Sequence, residues 1–127
     1  MNQRAAAPDS LVARALVIFA GGMLGTAARV SLLDWYDDDL AGLAVVNLLG
    51  CLLLGAISGW FGQRVTLLRL FLAVGGVASF TSWSSLALQG IASPSMVALV
   101  AAETVAGICF AGLGHVIGRA VRRRRGR

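Results

Sequence analysis

The chain has 127 residues, of which 57% are hydrophobic and 13% charged, with a net charge of +5 and a mean hydropathy of +0.79. An ordinary soluble domain is about 25% charged, and a chain this short leaves roughly a third of its surface wet. These proportions exclude a soluble globule, two cysteines exclude a disulfide scaffold, and an integral membrane protein of one domain remains.

A span needs about 20 mostly apolar residues to cross about 30 Å of hydrocarbon. Four stretches qualify, at about 11–30, 42–61, 67–89 and 95–118, followed by a basic tail over 119–127. The first stretch is read as a span and not as a cleaved signal peptide, because its apolar run is long and ends in Arg29. Asp34, Asp37, Asp38 and Asp39 form an acidic loop after it, beside Trp35 and Tyr36, which suit a membrane interface. Gln63 and Arg64 mark the next break, and Ser93-Pro94-Ser95 the last.

Orientation rests on arginine, since the chain has no lysine. With the N-terminus inside, the cytoplasmic side holds Arg4, Arg14, Arg64, Arg69, Arg119, Arg122, Arg123, Arg124, Arg125 and Arg127, and the outer side holds Arg29 alone. That bias predicts an N-in, C-in protein. The run Arg122–Arg125 abuts a span and lacks any nucleic-acid motif, so it is read as an anchor on anionic lipid, with no nucleic-acid partner.

Spans one, two and four carry small-residue pairs four apart: Gly21 and Gly25, Gly55 and Gly59, Gly114 and Gly118. Such pairs let helix backbones approach closely in lipid. Cys51, Cys109 and His115 stand apart from one another and form no redox or metal-ligand spacing, and no nucleophile–base set is present, so no enzyme is expected.

Polar groups within the bilayer cost desolvation energy and mark function or helix contacts. Asn47 lies deep in span two and reads equally as helix glue or as an amide donor, and Arg29 ends span one. Glu103, the one acid within a span, must be protonated or pair with a cation or donor. Span three is rich in Gly, Ser and Thr from Gly75 to Leu86, which predicts a helix broken in mid-membrane. Ser82, Ser85 and Gln89 share one face there, with Trp83 and Leu86 on the neighbouring stripe. Hydroxyl and amide donors without matching acids favour an anion.

Three ordered motifs resemble the Fluc (CrcB) family of fluoride channels over nearly the whole chain. Gly21-Gly22-Met23-Leu24-Gly25-Thr26-Ala27-Ala28-Arg29 resembles that family's GGxxGaxxR. Val46-Asn47-Leu48-Leu49-Gly50, with Cys51 and Gly55, resembles VNxxGsfxxG, and the Gly75–Leu86 stretch resembles GxxGGxTTFSTF. The resemblance implies an antiparallel dimer in the cell membrane that passively exports fluoride and relieves its toxicity. It also implies a structural sodium ion, not transported, held by backbone carbonyls that map to Ala78 and Thr81, two from each subunit. The fluoride pathway maps to Asn47, Ser84 and Ser85, with Trp83 and Leu86 at the positions of two pore phenylalanines and Arg29 at the span-one arginine. This chain departs from the pattern at Ala78 and Ser79, at Leu86, where an aromatic is missing, at Gln89, usually Glu, and at Glu103.

An antiparallel homodimer must insert both ways, which needs balanced arginine. The bias therefore predicts a heterodimer with a homologous, inverted subunit that restores the missing groups. The alternatives are a small multidrug-type exporter, which would need an acid in span one, and a non-conducting partner subunit of a fluoride channel.

Overall fold

The computed structural model of the chain describes residues 10–126, so that Arg4 and Arg127 of the arginine count lie outside it. Its elements are α1 (Leu11–Leu33), α2 (Asp39–Phe61), α3 (Leu67–Arg69), a wider-wound π segment (Leu70–Val77), α4 (Ala78–Phe80), α5 (Trp83–Gly90) and α6 (Pro94–Arg125). No strand occurs among the described residues. The stretches Leu11–Leu33, Asp39–Phe61, Leu67–Gly90 and Pro94–Arg125 are each long and apolar enough to cross a bilayer. The protein is an all-α, four-span membrane protein.

Each span opens on a short polar side chain that accepts a bond from an otherwise unpaired amide. Ser10 Oγ accepts from Ala13 N at 3.1 Å, Asp38 Oδ1 from Leu40 N at 2.9 Å, Thr66 Oγ1 from Arg69 N at 3.1 Å, and Ser93 Oγ from Met96 N at 3.3 Å. Pro94 follows its cap at the first helical position, where its missing N–H costs nothing. Helix α2 stops at Gly62, whose φ of 61° is readily available only to glycine. Helix α6 continues through Arg119–Arg125 because arginine is a good helix former, carrying its last turns beyond the length a bilayer needs.

The four spans pack as two pairs, α2 against α6 and α1 against the third span, with little contact between α1 and α2. Glycines seal both pairs. A Cβ at Gly55 or Gly59 would collide with the carbonyls of Ala111 and His115, and one at Gly114 or Gly118 with those of Leu52 and Ala56. At Gly21 and Gly25 it would strike the carbonyls of Phe71 and Gly76. The small-residue pairs are thus contact points between helices of the same chain. Among the described residues the buried apolar core is correspondingly small, Leu43, Val46, Val77 and Leu86, while residues such as Phe19, Leu24, Leu53, Val105 and Ile108 are exposed.

Candidate functional site

The site lies where the third span leaves helical geometry between Phe80 and Trp83. Thr81 (φ −75°, ψ 159°) and Ser82 (φ −138°, ψ 87°) leave the helical region, and α5 restarts at Trp83. The preceding segment is already wide, since Ala78 N–H bonds the Ala73 carbonyl five residues back. Ser82 N–H does not return to the Ala78 carbonyl. It donates instead to Asn47 Oδ1 at 2.8 Å, so a side chain from α2 replaces one rung of the helical ladder.

Asn47 is 8% exposed, and its amide is engaged at both ends. While Oδ1 takes the Ser82 amide, Nδ2 donates to Glu103 Oε1 on α6 at 3.1 Å. One side chain therefore joins α2, the turn of the third span, and α6. The two bonds fix the amide's orientation, with nitrogen toward the carboxylate and oxygen toward the backbone N–H. An amide nitrogen carries two hydrogens, so one remains beyond the bond to Glu103. Beside it, Gly50 makes room for the Thr81 methyl, which a Cβ there would strike.

The other sequence-derived residues distribute over two sides of this turn. Trp83, 66% exposed, and the exposed Ser84 and Ser85 stand on the outer face of α5. Ser85 Oγ accepts from Ser82 Oγ at 2.7 Å, which ties the outer hydroxyls to the buried turn. Leu86, three residues on in the same helix, is buried at 5% exposed. Arg29 reaches across from α1, and its Nη1 donates to the Thr81 carbonyl at 3.2 Å.

The carbonyls of Ala78 and Thr81 are the groups a sodium ion would use. Neither accepts a backbone N–H among the described residues: Ala78 O takes only the Thr81 hydroxyl at 3.4 Å, and Thr81 O takes Arg29. Carbonyl oxygens outside the backbone ladder are ligands of the type hard cations take, and each has a second lone pair beyond the bond it accepts, though the Arg29 guanidinium on Thr81 O opposes a cation there. Two oxygens are too few for a complete shell. No cluster of His, Cys, Asp or Glu suited to a metal exists among the described residues.

Glu103 is the partner that sequence reasoning could not specify. Its signal was the need of a lone acid in an apolar span for a donor, and that donor is Asn47, 56 residues away in the chain.

Comparison with known proteins gives a consistent result. The family model described as CrcB-like protein, Camphor Resistance (CrcB), matches residues 16–117. The chain is 36% identical over 115 residues to a Bacillus subtilis protein named fluoride-specific ion channel FluC 2, covering 82% of this chain and 86% of the relative. It is 34% identical over 106 residues to fluoride-specific ion channel FluC 1 of Methanospirillum hungatei, covering 80% and 72%. A protein of Rhodococcus jostii, also named fluoride-specific ion channel FluC 1, is 32% identical over 111 residues, covering 86% and 88%.

Proposed function

Because this chain belongs to the CrcB family, we propose that it is a fluoride-specific ion channel that passively exports fluoride across the cell membrane and relieves fluoride toxicity. The observation that carries this reading is the Asn47 amide, locked by Glu103 and by the N–H of Ser82, the residue that leads into the exposed Trp83, Ser84 and Ser85. Polar groups at membrane depth belong in protein or along a water-filled path and not against lipid.

Fluoride is small and strongly hydrated. It exchanges water for the second Asn47 hydrogen, the Ser84 and Ser85 hydroxyls and the electropositive edge of Trp83. Because Asn47 is pinned by two bonds, its donor is preorganised and does not have to be turned toward the ion. Larger chloride fits neither the width nor the spacing of such a path. An interior-negative potential contributes about 2.3 kcal/mol per charge per 100 mV toward anion exit.

The working unit in this reading is an antiparallel dimer, which covers the outer face of α5. The carbonyls of Ala78 and Thr81 from each subunit would hold a structural sodium ion, whose role there is to tie the two turns together by charge. Arg29 on the Thr81 carbonyl holds that oxygen in place. The described arginines Arg14, Arg64, Arg69, Arg119 and Arg122–Arg125 all lie toward one end of the bundle, and Arg29 lies toward the other, beside the acidic loop. That asymmetry supports an N-in, C-in chain in the cell membrane and a homologous, inverted partner subunit.

The test is fluoride efflux from liposomes loaded with potassium fluoride, read by an ion-selective electrode. This chain, an inverted homologue and the two together are compared. Efflux from the mixture alone is the expected result. Full-rate efflux from this chain alone would sink the heterodimer, and no fluoride-selective efflux in any preparation would sink the channel reading.

A further inference from the structure

A second polar feature lies at the opposite end of α2 from the acidic loop, well away from the turn at Ser82. Where α2 and α6 end side by side, a cavity of about 400 Å³ is lined by Trp60, Phe61, Arg64, Thr66, Arg122 and Arg125. We propose that this cavity is a binding site for the phosphate of an anionic phospholipid headgroup.

Three arginines line the cavity, and no carboxylate stands at this end among the described residues. The acids of the described chain are the loop Asp34, Asp37, Asp38 and Asp39 at the other end and Glu103 within α6. The last carbonyls of α2 would repel an anion, and three of them already accept a bond: Ser58 O from Gly62 N–H at 2.9 Å, Phe61 O from Arg64 N–H at 3.2 Å and Trp60 O from Arg122 Nη1 at 3.5 Å. Just beyond the helix, Arg69 Nη1 donates to the Gly62 carbonyl at 2.9 Å and to the Arg64 carbonyl at 3.2 Å. A guanidinium has five N–H donors in a planar fork, so Arg122 keeps most of its donors free. Arg125 lies over the Trp60 ring, its Cζ 5.2 Å from the centroid, a cation–π contact that uses none of its hydrogen bonds. The left-handed turn at Gly62 brings the two helix ends together, since a Cβ there would push into Arg122 Nη1.

Depth selects the source of the phosphate. Helix α2 has 23 residues, a length of about 34 Å at 1.5 Å per residue, and so spans the hydrocarbon with little to spare. Trp60 and Phe61 at its end therefore lie at headgroup level, where aromatic rings settle. A free phosphate would need only the arginines. A lipid phosphate also brings acyl chains that cover the aromatic floor, and basic pockets between spans take such headgroups. The inference does not depend on what the protein conducts.

The experiment uses the full chain in neutral detergent. Lipid retention is measured by native mass spectrometry, and the unfolding temperature with added phosphatidylglycerol, phosphatidylcholine or inorganic phosphate. Phosphatidylglycerol is expected to bind and raise the unfolding temperature, while the other two do neither. The double variant R64Q/R125Q is expected to bind about tenfold or more weakly, whereas R123Q/R124Q, which removes the same charge outside the cavity, retains binding within about twofold. Equal losses in the two variants would show a diffuse basic surface and overturn the site. Equal stabilisation by inorganic phosphate would overturn the lipid assignment. Should R64Q/R125Q fail to fold, the parent protein still decides, because a parent that does not distinguish phosphatidylglycerol from phosphatidylcholine overturns the proposal.

Discussion

Asn47→Asp is the substitution that most directly tests the geometry of the turn. The oxygen that accepts Ser82 N–H is kept, so the backbone there stays paired, but the group facing Glu103 changes from a donor to a carboxylate oxygen. At the native separation of 3.1 Å, two full charges at an effective dielectric of about 20 would repel by about 5 kcal/mol, and this is an upper limit because two adjacent carboxyls relieve it by holding one proton between them. The variant is therefore expected to unfold below the parent in detergent, and further below it at pH 9, where the shared proton is lost. Glu103→Gln supplies the control. Its carbonyl still accepts from Asn47 in the parent background, and in the double variant its amide donates to the new Asp. The double variant is therefore expected to recover most of the lost unfolding temperature, with an interaction between the two sites. Asn47→Asp unfolding at the parent's temperature even at pH 9, or no recovery there on adding Glu103→Gln, would refute the contact.

Two further outcomes follow from contacts elsewhere. Gly25→Val places branched carbons against the Gly76 carbonyl. It should separate α1 from the third span and abolish the monodisperse peak in gel filtration, whereas Gly112→Ala, which meets open space, should leave that peak unchanged. Arg29→Gln removes the charged donor on the Thr81 carbonyl and should lower stability by about 1–2 kcal/mol in chemical unfolding. An unchanged unfolding midpoint would show that this bond contributes nothing.

The four spans were legible because hydropathy runs and their polar breaks are local properties. The caps Ser10, Asp38, Thr66 and Ser93 lie where such breaks put them. The glycine pairs were legible as close-packing positions, though their partners were not, because spacing names a face and not what meets it. Trp83 and Leu86 read as one stripe and lie three residues apart within α5. What spacing did not carry is their burial, 66% against 5% exposed, because that depends on what packs against each end of the stripe. The bond from Asn47 to Glu103 joins residues 56 apart. Both residues stood out as polar groups in apolar spans, but their meeting depends on how α2 packs on α6.

That packing explains why the turn lies where it does. Each glycine-sealed pair is held by backbones in close approach, which provides rigidity but no specific register between the pairs. Across the gap, Asn47 on α2 reaches Ser82 N–H in the third span, and Gly50, one turn further along α2, admits the Thr81 methyl. The interruption in the third span is what exposes Ser82 N–H, because an unbroken ladder would have used it on the Ala78 carbonyl. The Ala78 carbonyl without a backbone N–H and the Ser82 amide bonded to a side chain are therefore two results of one departure from the helix. Away from water both groups need side-chain partners, and Asn47 serves the amide while the Thr81 hydroxyl and Arg29 serve the Ala78 and Thr81 carbonyls. The residue that orients the proposed anion donor is thus also the polar link between the helix pairs. Loss of efflux in an Asn47 variant is informative about the path only when the folded protein is recovered in the same preparation, which the Glu103→Gln background is expected to provide for Asn47→Asp.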